Sequence, residues 1–393
     1  MRLSVNLDTY DVTIPKADKA IANSVMVVAK KLAAHTNYAA EIIRDAYGRV
    51  ISVNVNLPSV VTENEKSQAI AALLATPGVS GVDIGYIWTE VRPAGNFDKY
   101  WNTIASDEDG SNLIVASGAV PSRLYTSNDF GVTWTERQPA GDVDAYWRSV
   151  TSDADGSNLI AAINGGRLYT SNDFGVTWTE QQPAGDVDTQ WQIVASDSDG
   201  SNLIVGIYYD RLYTSNDFGV TWTERQPAGD VAYPWRGIAS DADGSNLIVT
   251  IGGGRLYTSN DFGVTWTEQQ PAGDIDKQWR YAASDSDGSN LIVGVYDGRL
   301  YTSNDFGVTW TERQPAGNIN TYWYSVASDS DGSNLFVGVY DGRLYTSNDF
   351  GVTWTEQQPA GDINAYWYSA IASDADGSNL IVGAVPGRLY IGS

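Results

Sequence analysis

Residues 86–393 are predicted to close into a mostly β, seven-bladed propeller of four-stranded blades, preceded by a small α+β domain over residues 1–85. Three observations lead there. The string SNDFGVTW begins at Ser127, Ser171, Ser215, Ser259, Ser303 and Ser347, six identical copies in steps of 44 residues. Each step holds four short β-branched or aromatic runs separated by turn residues, and four strands in a period of about 44 is the unit of a propeller. The array also starts and stops out of phase, as a closed ring requires.

In the first domain, Leu3, Val5 and Leu7 alternate with polar residues as a strand, and Ile21, Val25, Val28 and Leu32 have helical spacing. Residues 39–44 and 49–57 read as a hairpin around Tyr47-Gly48. Thr62 and Glu65 form a capping box for a helix carrying Ile70, Leu73 and Leu74, stopped by Pro77-Gly78. Residues 79–86 supply a last strand. The order βαββαβ resembles a ferredoxin-like domain.

Within the array, residues 146–152 lead through the turn DADGSN into 159–163, then through Asn164-Gly165-Gly166 into 167–171, and through Asn172–Gly175 into 176–180. The string SDxDGSN occurs seven times, from Ser106 to Ser373. Its spacing departs from 44 near Ala119–Ser122 and near Ala370-Ile371, where extra residues are expected to sit in loops. The last copy stops after its third strand. Its missing fourth strand is found at the other end of the array, where Trp88 to Arg92 matches the fourth-strand pattern without three strands before it. Two Trp in each of seven blades account for all 14 in the chain.

Composition removes much chemistry. With no Cys and a single His, His35, there is no disulfide, thiolate nucleophile, Cys-based zinc site or His cluster. The formal charge is −24, from 24 basic and 48 acidic residues, so neither nucleic acid nor insertion into an anionic membrane is expected. Residues 1–85 are balanced, and the ring holds the whole excess. No secretory signal is seen at the start and no stretch suits a bilayer span, so the compartment is open: a virion or cell surface, otherwise the cytoplasm.

SNDFGVTW has the form Ser-x-Asp-x-Gly-x-Thr-Trp and resembles the Asp-box (BNR) repeat of sialidases and related propellers. The resemblance covers residues 86–393 and implies a structural box in which Asp129, Asp173, Asp217, Asp261, Asp305 and Asp349 accept bonds across the turn between third and fourth strands. It does not bring activity with it. Sialidases carry an Arg-Ile-Pro motif and a set of unlike residues from unlike blades. This chain lacks the motif, and most of its arginines recur once per blade, so it is not expected to be an enzyme, a divergent sialidase-like hydrolase being the alternative.

Pairs such as Asp107/Asp109 in SDxDGSN have the look of a calcium loop, but the third ligand and distal Glu are missing. A tight Asp-Gly hairpin is the expectation, with weak Ca²⁺ binding as the alternative and no other cofactor.

The copies differ chiefly on one rim. There the blade connections carry Tyr100, Tyr146, Arg148, Gln190, Tyr233, Arg236, Gln278, Arg280, Tyr322, Tyr324, Tyr366 and Tyr368, and the second-to-third-strand turns carry Tyr208, Tyr209, Asp210, Tyr296, Asp297, Tyr340 and Asp341. Such Tyr-rich polar composition suits a binding surface, although drift in exposed loops would also produce variation. The recurring Trp101 to Trp367 are expected to pack between blades, an exposed ring for stacking on sugars being the alternative. The reading is a non-enzymatic recognition or adhesion protein that shows this rim to a glycan or protein. Residues 1–85 would oligomerise or dock it on a larger assembly such as a phage, virion or cell surface. A scaffold or intracellular sensor is the alternative.

Overall fold

The structure, a computed structural model, describes residues 86, 88–118, 122–361, 364–385 and 387–392, with backbone only for 368–370 and for five strands within residues 1–85. The chain forms two compact units, Met1–Ile87 and Trp88–Ser393.

The first unit contains β1 (Arg2–Asn6), β2 (Asp11–Thr13), β3 (Ala40–Arg44), β4 (Val50–Val55) and β5 (Gly81–Ile84), in the sheet order β3-β4-β2-β1-β5. The expected hairpin is the antiparallel β3/β4 pair, with Ile42 opposite Val53. The sheet differs from the four strands of a βαββαβ chain. Asp11-Val12-Thr13 turns back on β1 and lies between it and β4, an insertion that needs only the short connection of an antiparallel neighbour. β5 runs parallel to β1. The two predicted helices lie outside the described residues.

In the second unit the strands pair in four-stranded antiparallel blades. Blade 1 consists of Trp101–Ser106, Leu113–Ser117, Leu124–Ser127 and Thr135–Arg137, and blade 2 of Trp147–Ser152, Leu159–Gly166, Leu168–Ser171 and Thr179–Gln181. Blades 3 to 6 repeat this over 189–225, 233–269, 277–313 and 323–357. The strands within 366–392 form blade 7 with β6 (Trp88–Val91), which pairs with the last strand, Val91 opposite Leu389 and Trp88 opposite Gly392.

Second strands such as Leu113–Ser117 are buried throughout, because neighbours cover both faces. Their alternation divides the run between two interfaces. Leu113 and Val115 pack with Ala372, Ile381 and Leu389 of blade 7, whereas Ile114 and Ala116 pack with Trp147, Leu159 and Ala161 of blade 2. Each such side chain contributes about 1.5 to 3 kcal/mol by leaving water. Fourth strands such as Thr135–Arg137 are largely exposed.

The first strands of the blades contact one another in an unbroken circle. At their SDxDGSN ends a closed cycle of backbone bonds links the blades of this unit. Glu108 N donates to Ala154 O (2.9 Å), and the chain continues through Ser198, Ala242, Ser286 and Ser330 to Ala375, whose N donates to Glu108 O (2.8 Å). One expectation is corrected: the extra residue near Ala370 sits within the strand Tyr366–Ser373, where a bulge between Trp367 and Ile371 absorbs it.

Candidate functional site on the variable face

The constant end of the blades is occupied by local bonding. Asp129 Oδ1 accepts from Thr133 N (2.8 Å) and Oδ2 from Thr133 Oγ1 (2.6 Å), while Gly131 N donates to Ser127 Oγ (2.9 Å) and Trp134 Nε1 to Gly131 O (2.8 Å). The same carboxylate bonds recur at Asp173, Asp217, Asp261, Asp305 and Asp349. In SDxDGSN the two carboxylates part company. Asp107 is buried and takes Asn112 Nδ2 at 2.6 Å, and burial pushes its pKa up. Asp109 caps Ser111 N at 2.8 Å, and the Ser111 bonds hold its pKa down. Among the described residues no three His, Cys, Asp or Glu side chains gather as metal ligands.

The opposite end is built differently. The first strand of every blade shifts register just after its Trp, at Trp101/Thr103, Trp147/Ser149, Trp191/Ile193, Trp235/Gly237, Trp279/Ala282, Trp323/Ser325 and Trp367/Ile371. Such a bulge leaves the residue after the Trp unpaired and turns its side chain out of the ladder. Asn102, Arg148, Gln192, Arg236, Arg280 and Tyr324 take the same position in this way on successive first strands, which contact one another in a circle. The ends of those strands on this face are termed the mouth, and Asn102, Gln192 and Tyr324 are buried there. Neighbours at this position touch. Asn102 Nδ2 donates to Trp147 O (2.9 Å), Arg148 Nη1 to Asn102 Oδ1 (3.3 Å), and Thr250 Oγ1 to Arg280 O (3.1 Å).

The turns between second and third strands meet the following blade here. Tyr296 N donates to Gln278 O (2.8 Å) in its own blade, and Gly298 exchanges bonds of 3.0 and 3.1 Å with Thr321 of the next. Aromatic side chains from successive turns and connections are thereby brought into one arc. Ring centroids lie 4.7 Å apart for Tyr296/Tyr322, 5.7 Å for Tyr296/Tyr324, 5.0 Å for Tyr324/Tyr340 and 4.6 Å for Tyr340/Tyr366. The Arg280 guanidinium stands 4.6 Å from the Tyr296 ring and 5.3 Å from that of Tyr324. One blade back, Arg236 lies 4.5 Å over Tyr208 and donates to its hydroxyl at 2.9 Å, and Tyr208 in turn packs on Tyr209 at 4.4 Å. Burial first, and then the charge of Arg280, hold Arg236 below the ordinary arginine pKa, with Arg148 adding to the effect.

Of the rim residues singled out in the sequence, the arc therefore joins Arg280, Tyr296, Tyr322, Tyr324, Tyr340 and Tyr366, and a neighbouring group joins Tyr208, Tyr209 and Arg236. Tyr100, Tyr146, Gln190 and Gln278 are exposed on their connections. Tyr233 turns inward, edge-on to Trp235 at 6.1 Å and against the core between blades 3 and 4. Asp210 is exposed, while its carbonyl accepts from Trp235 Nε1 (2.8 Å). Asp297 and Asp341 occupy left-handed turn positions, with φ of 54° and 53°. The side chain of Tyr368 lies outside the described residues. Trp101 to Trp367 are buried at 1–2% exposure, so they brace neighbouring blades and offer no stacking surface. The sequence reading passed over Tyr281, 6.1 Å from Tyr324, and also Asn102 and Gln192. The last two share with Arg148 and Arg236 the position after the recurring Trp, and that offset was the available signal.

Residues 168–182, 256–270 and 344–358 match the BNR-Asp box repeat family. These are the three copies whose fourth strand ends in Gln. No curated protein matches the chain in sequence. Among solved structures the chain is similar to YCF48 bound to D1 peptide, at 14% identity and a TM-score of 0.60 over 78% of this chain and 96% of that one. It is similar to the GH74 xyloglucanase from Xanthomonas campestris at 18% identity and 0.60, over 78% of this chain but only 53% of that one. It is also similar to the Cps50 (Swd1) beta-propeller domain of Myceliophteria thermophila, at 12% identity and 0.59, over 79% of this chain and 99% of that one. At such identities the likeness speaks for the fold alone, and that fold is a β-propeller carrying BNR-Asp box repeats.

Proposed function

We propose that residues 88–393 are a closed seven-bladed propeller acting as a non-enzymatic recognition module, which takes a protein or glycan on its variable face. Residues 1–85 dock it to a larger assembly, such as a virion or cell surface, or to further copies of itself. The observation that carries the reading is the tyrosine arc, in which connections and turns of blades 5, 6 and 7 contribute side chains that touch across blade boundaries. Tyrosine supplies wide amphipathic contact with few rotors to freeze, the property that recognition surfaces use. The cyclic backbone bonds at the constant end and the pairing of β6 with the last strand support the closed ring. The YCF48 structure, which holds a peptide, supports a protein ligand. Glycoside hydrolysis needs two carboxylates facing each other across the substrate, whereas the groups that meet in the arc are tyrosine and arginine.

The test is a screen of the intact protein on peptide and glycan arrays, repeated with Tyr296→Ala and Tyr340→Ala. Loss of the retained ligand by at least about tenfold is expected for each, the effect of truncating a central aromatic contact. Undiminished binding by both variants would remove the arc from the interface, and turnover of a xyloglucan or a fluorogenic sialoside would overturn the non-enzymatic reading.

A further inference from the structure

Three sets of arginines recur in the repeats, and one of them, Arg137, Arg225 and Arg313 on fourth strands, donates to the Thr126, Thr214 and Thr302 hydroxyls. Arg123, Arg167, Arg211, Arg255, Arg299, Arg343 and Arg388, at the start of the third strands, each form an ion pair, for example Arg167 with Asp188 at 2.8 Å and Arg388 with Asp98 at 2.9 Å. Arg148, Arg236 and Arg280, at the mouth, form none with any carboxylate among the described residues, in a protein with 48 acidic side chains. They stand on blades 2, 4 and 5, close enough that each of the other two raises the cost of charging Arg236. Gln192 of blade 3 holds the equivalent position between Arg148 and Arg236. It is only 5% exposed, and its Nε2 has no hydrogen-bond partner among the described residues. A buried amide N–H without an acceptor costs about 1 to 3 kcal/mol, and like charges gathered without a counterion add to that cost.

Four successive blades thus place donors at the same position of their first strands, and among the described residues no carboxylate pairs with the three arginines. The tyrosines fix two of the guanidiniums by their faces, since Arg236 lies on Tyr208 and Arg280 on Tyr296. Beyond the in-plane N–H that Arg236 gives to the Tyr208 hydroxyl and the one that Arg148 gives to Asn102 Oδ1, the remaining guanidinium edges suit an oxyanion. We propose that the mouth binds a single oxyanionic group, a carboxylate, sulfate or phosphate, through Arg148, Gln192, Arg236 and Arg280. The inference deepens the recognition reading, because it assigns a charge to the ligand of the same face. The surrounding acidity adds selectivity. A polyanion is repelled by the ring as a whole, whereas a lone anionic group on an otherwise neutral or cationic ligand meets only the local positive field.

The full chain is titrated with sodium sulfate, sodium phosphate and sodium acetate at constant ionic strength against sodium chloride, following heat of binding and melting temperature. Saturable one-to-one binding with a rise in melting temperature is expected for sulfate and phosphate, for acetate, or for both kinds, and the winning arm tells a tetrahedral from a planar ligand group. Arg236→Gln and Arg280→Gln should each weaken that binding on the order of ten- to a hundredfold, the worth of one hydrogen bond to a charged group. Arg167→Gln, at an ion-paired outer site, should leave it unchanged. In chloride alone Arg236→Gln should melt no lower than the parent, because it relieves like-charge repulsion, whereas a purely structural arginine would lower the melting point. The proposal is overturned if no anion binds beyond chloride, or if both mouth variants respond as the parent does. Because the probes are inorganic ions and acetate, a failed array screen leaves this outcome independent.

Discussion

At the scale of single residues, the turns of the variable face contain a conflict between conformation and side chain. The middle residue of the turn is left-handed in blades 2 to 6, where it is Gly165, Tyr209, Gly253, Asp297 and Asp341, with φ between 53° and 79°. Gly enters that region freely and Asp eases it with local bonds, whereas a bulky L-residue loses about 1 to 2 kcal/mol there. Tyr209 at φ 56° is therefore strained, and 59% of it faces solvent, so packing does not explain its presence. A strained, exposed aromatic beside Tyr208 fits a contact residue. Tyr209→Asn should raise stability by up to about 1 kcal/mol in urea denaturation and weaken whatever ligand the arrays retain. A destabilised Tyr209→Asn would show that the tyrosine is held for the fold. The same geometry accounts for Asp297 and Asp341, which the sequence reading assigned to recognition and which suit the turn. The strings already displayed Gly or Asp at this position, so its conformation was legible. The mutual contact of tyrosines such as Tyr296 and Tyr322, or Tyr340 and Tyr366, was not, because it depends on how one blade's turn meets the next blade's first strand.

At the scale of elements, the best-read feature was the phase of the array. The strand pattern at Trp88 was matched in the sequence to the one the last repeat lacks, and β6 pairs with the last strand in register from Trp88 to Val91. The Asp box was equally legible, because its bonds link residues two to four apart. Its one surprise is Phe130, at φ 57° beside Gly131 at 76°, where only the glycine advertised a left-handed turn. The bulges after each Trp were hidden, since no turn residue marks them, and with them the mouth. The closing strand makes a direct prediction. A chain beginning at Trp88 should keep the urea midpoint of the propeller transition, whereas one beginning at Arg92 should lose about 3 to 5 kcal/mol, from a few ladder bonds of about 1 kcal/mol each and the burial of Val91. It should also aggregate through the uncovered edge of Leu389–Gly392. Equal midpoints for the two chains would mean that β6 contributes nothing to closure.

At the scale of the whole molecule, the charge of −24 acts through two opposed sets of carboxylates. Burial raises the pKa of the first Asp in six SDxDGSN turns, from Asp107 to Asp329. The folded state therefore binds those protons more readily than the unfolded chain. Stability gained there is present in full below the ordinary aspartate value near 3.8 and is lost as pH rises through the raised folded values. The second Asp of each turn, from Asp109 to Asp376, is lowered by its Ser partner. The Asp-box residues are lowered too, Asp129 by Thr133 and Asp217 by Thr221. In Asp173, Asp261, Asp305 and Asp349 burial works the other way and the Thr bonds outweigh it. The lowered set stabilises above about pH 3.8 and loses that contribution as pH falls through its depressed values. The two sets together give a stability profile with a maximum. Acidifying from neutrality should first stabilise the propeller, as the buried Asp residues take protons and mutual repulsion eases. Below about pH 3.8 it should destabilise, because the lowered set is the larger one. Urea midpoints between neutrality and pH 2.5 would trace the curve, and added salt divides its causes. Salt flattens the part due to general repulsion and leaves the part due to buried Asp residues. A midpoint that falls steadily from pH 7, or rises steadily to pH 2.5, would contradict the assignment of one set or the other.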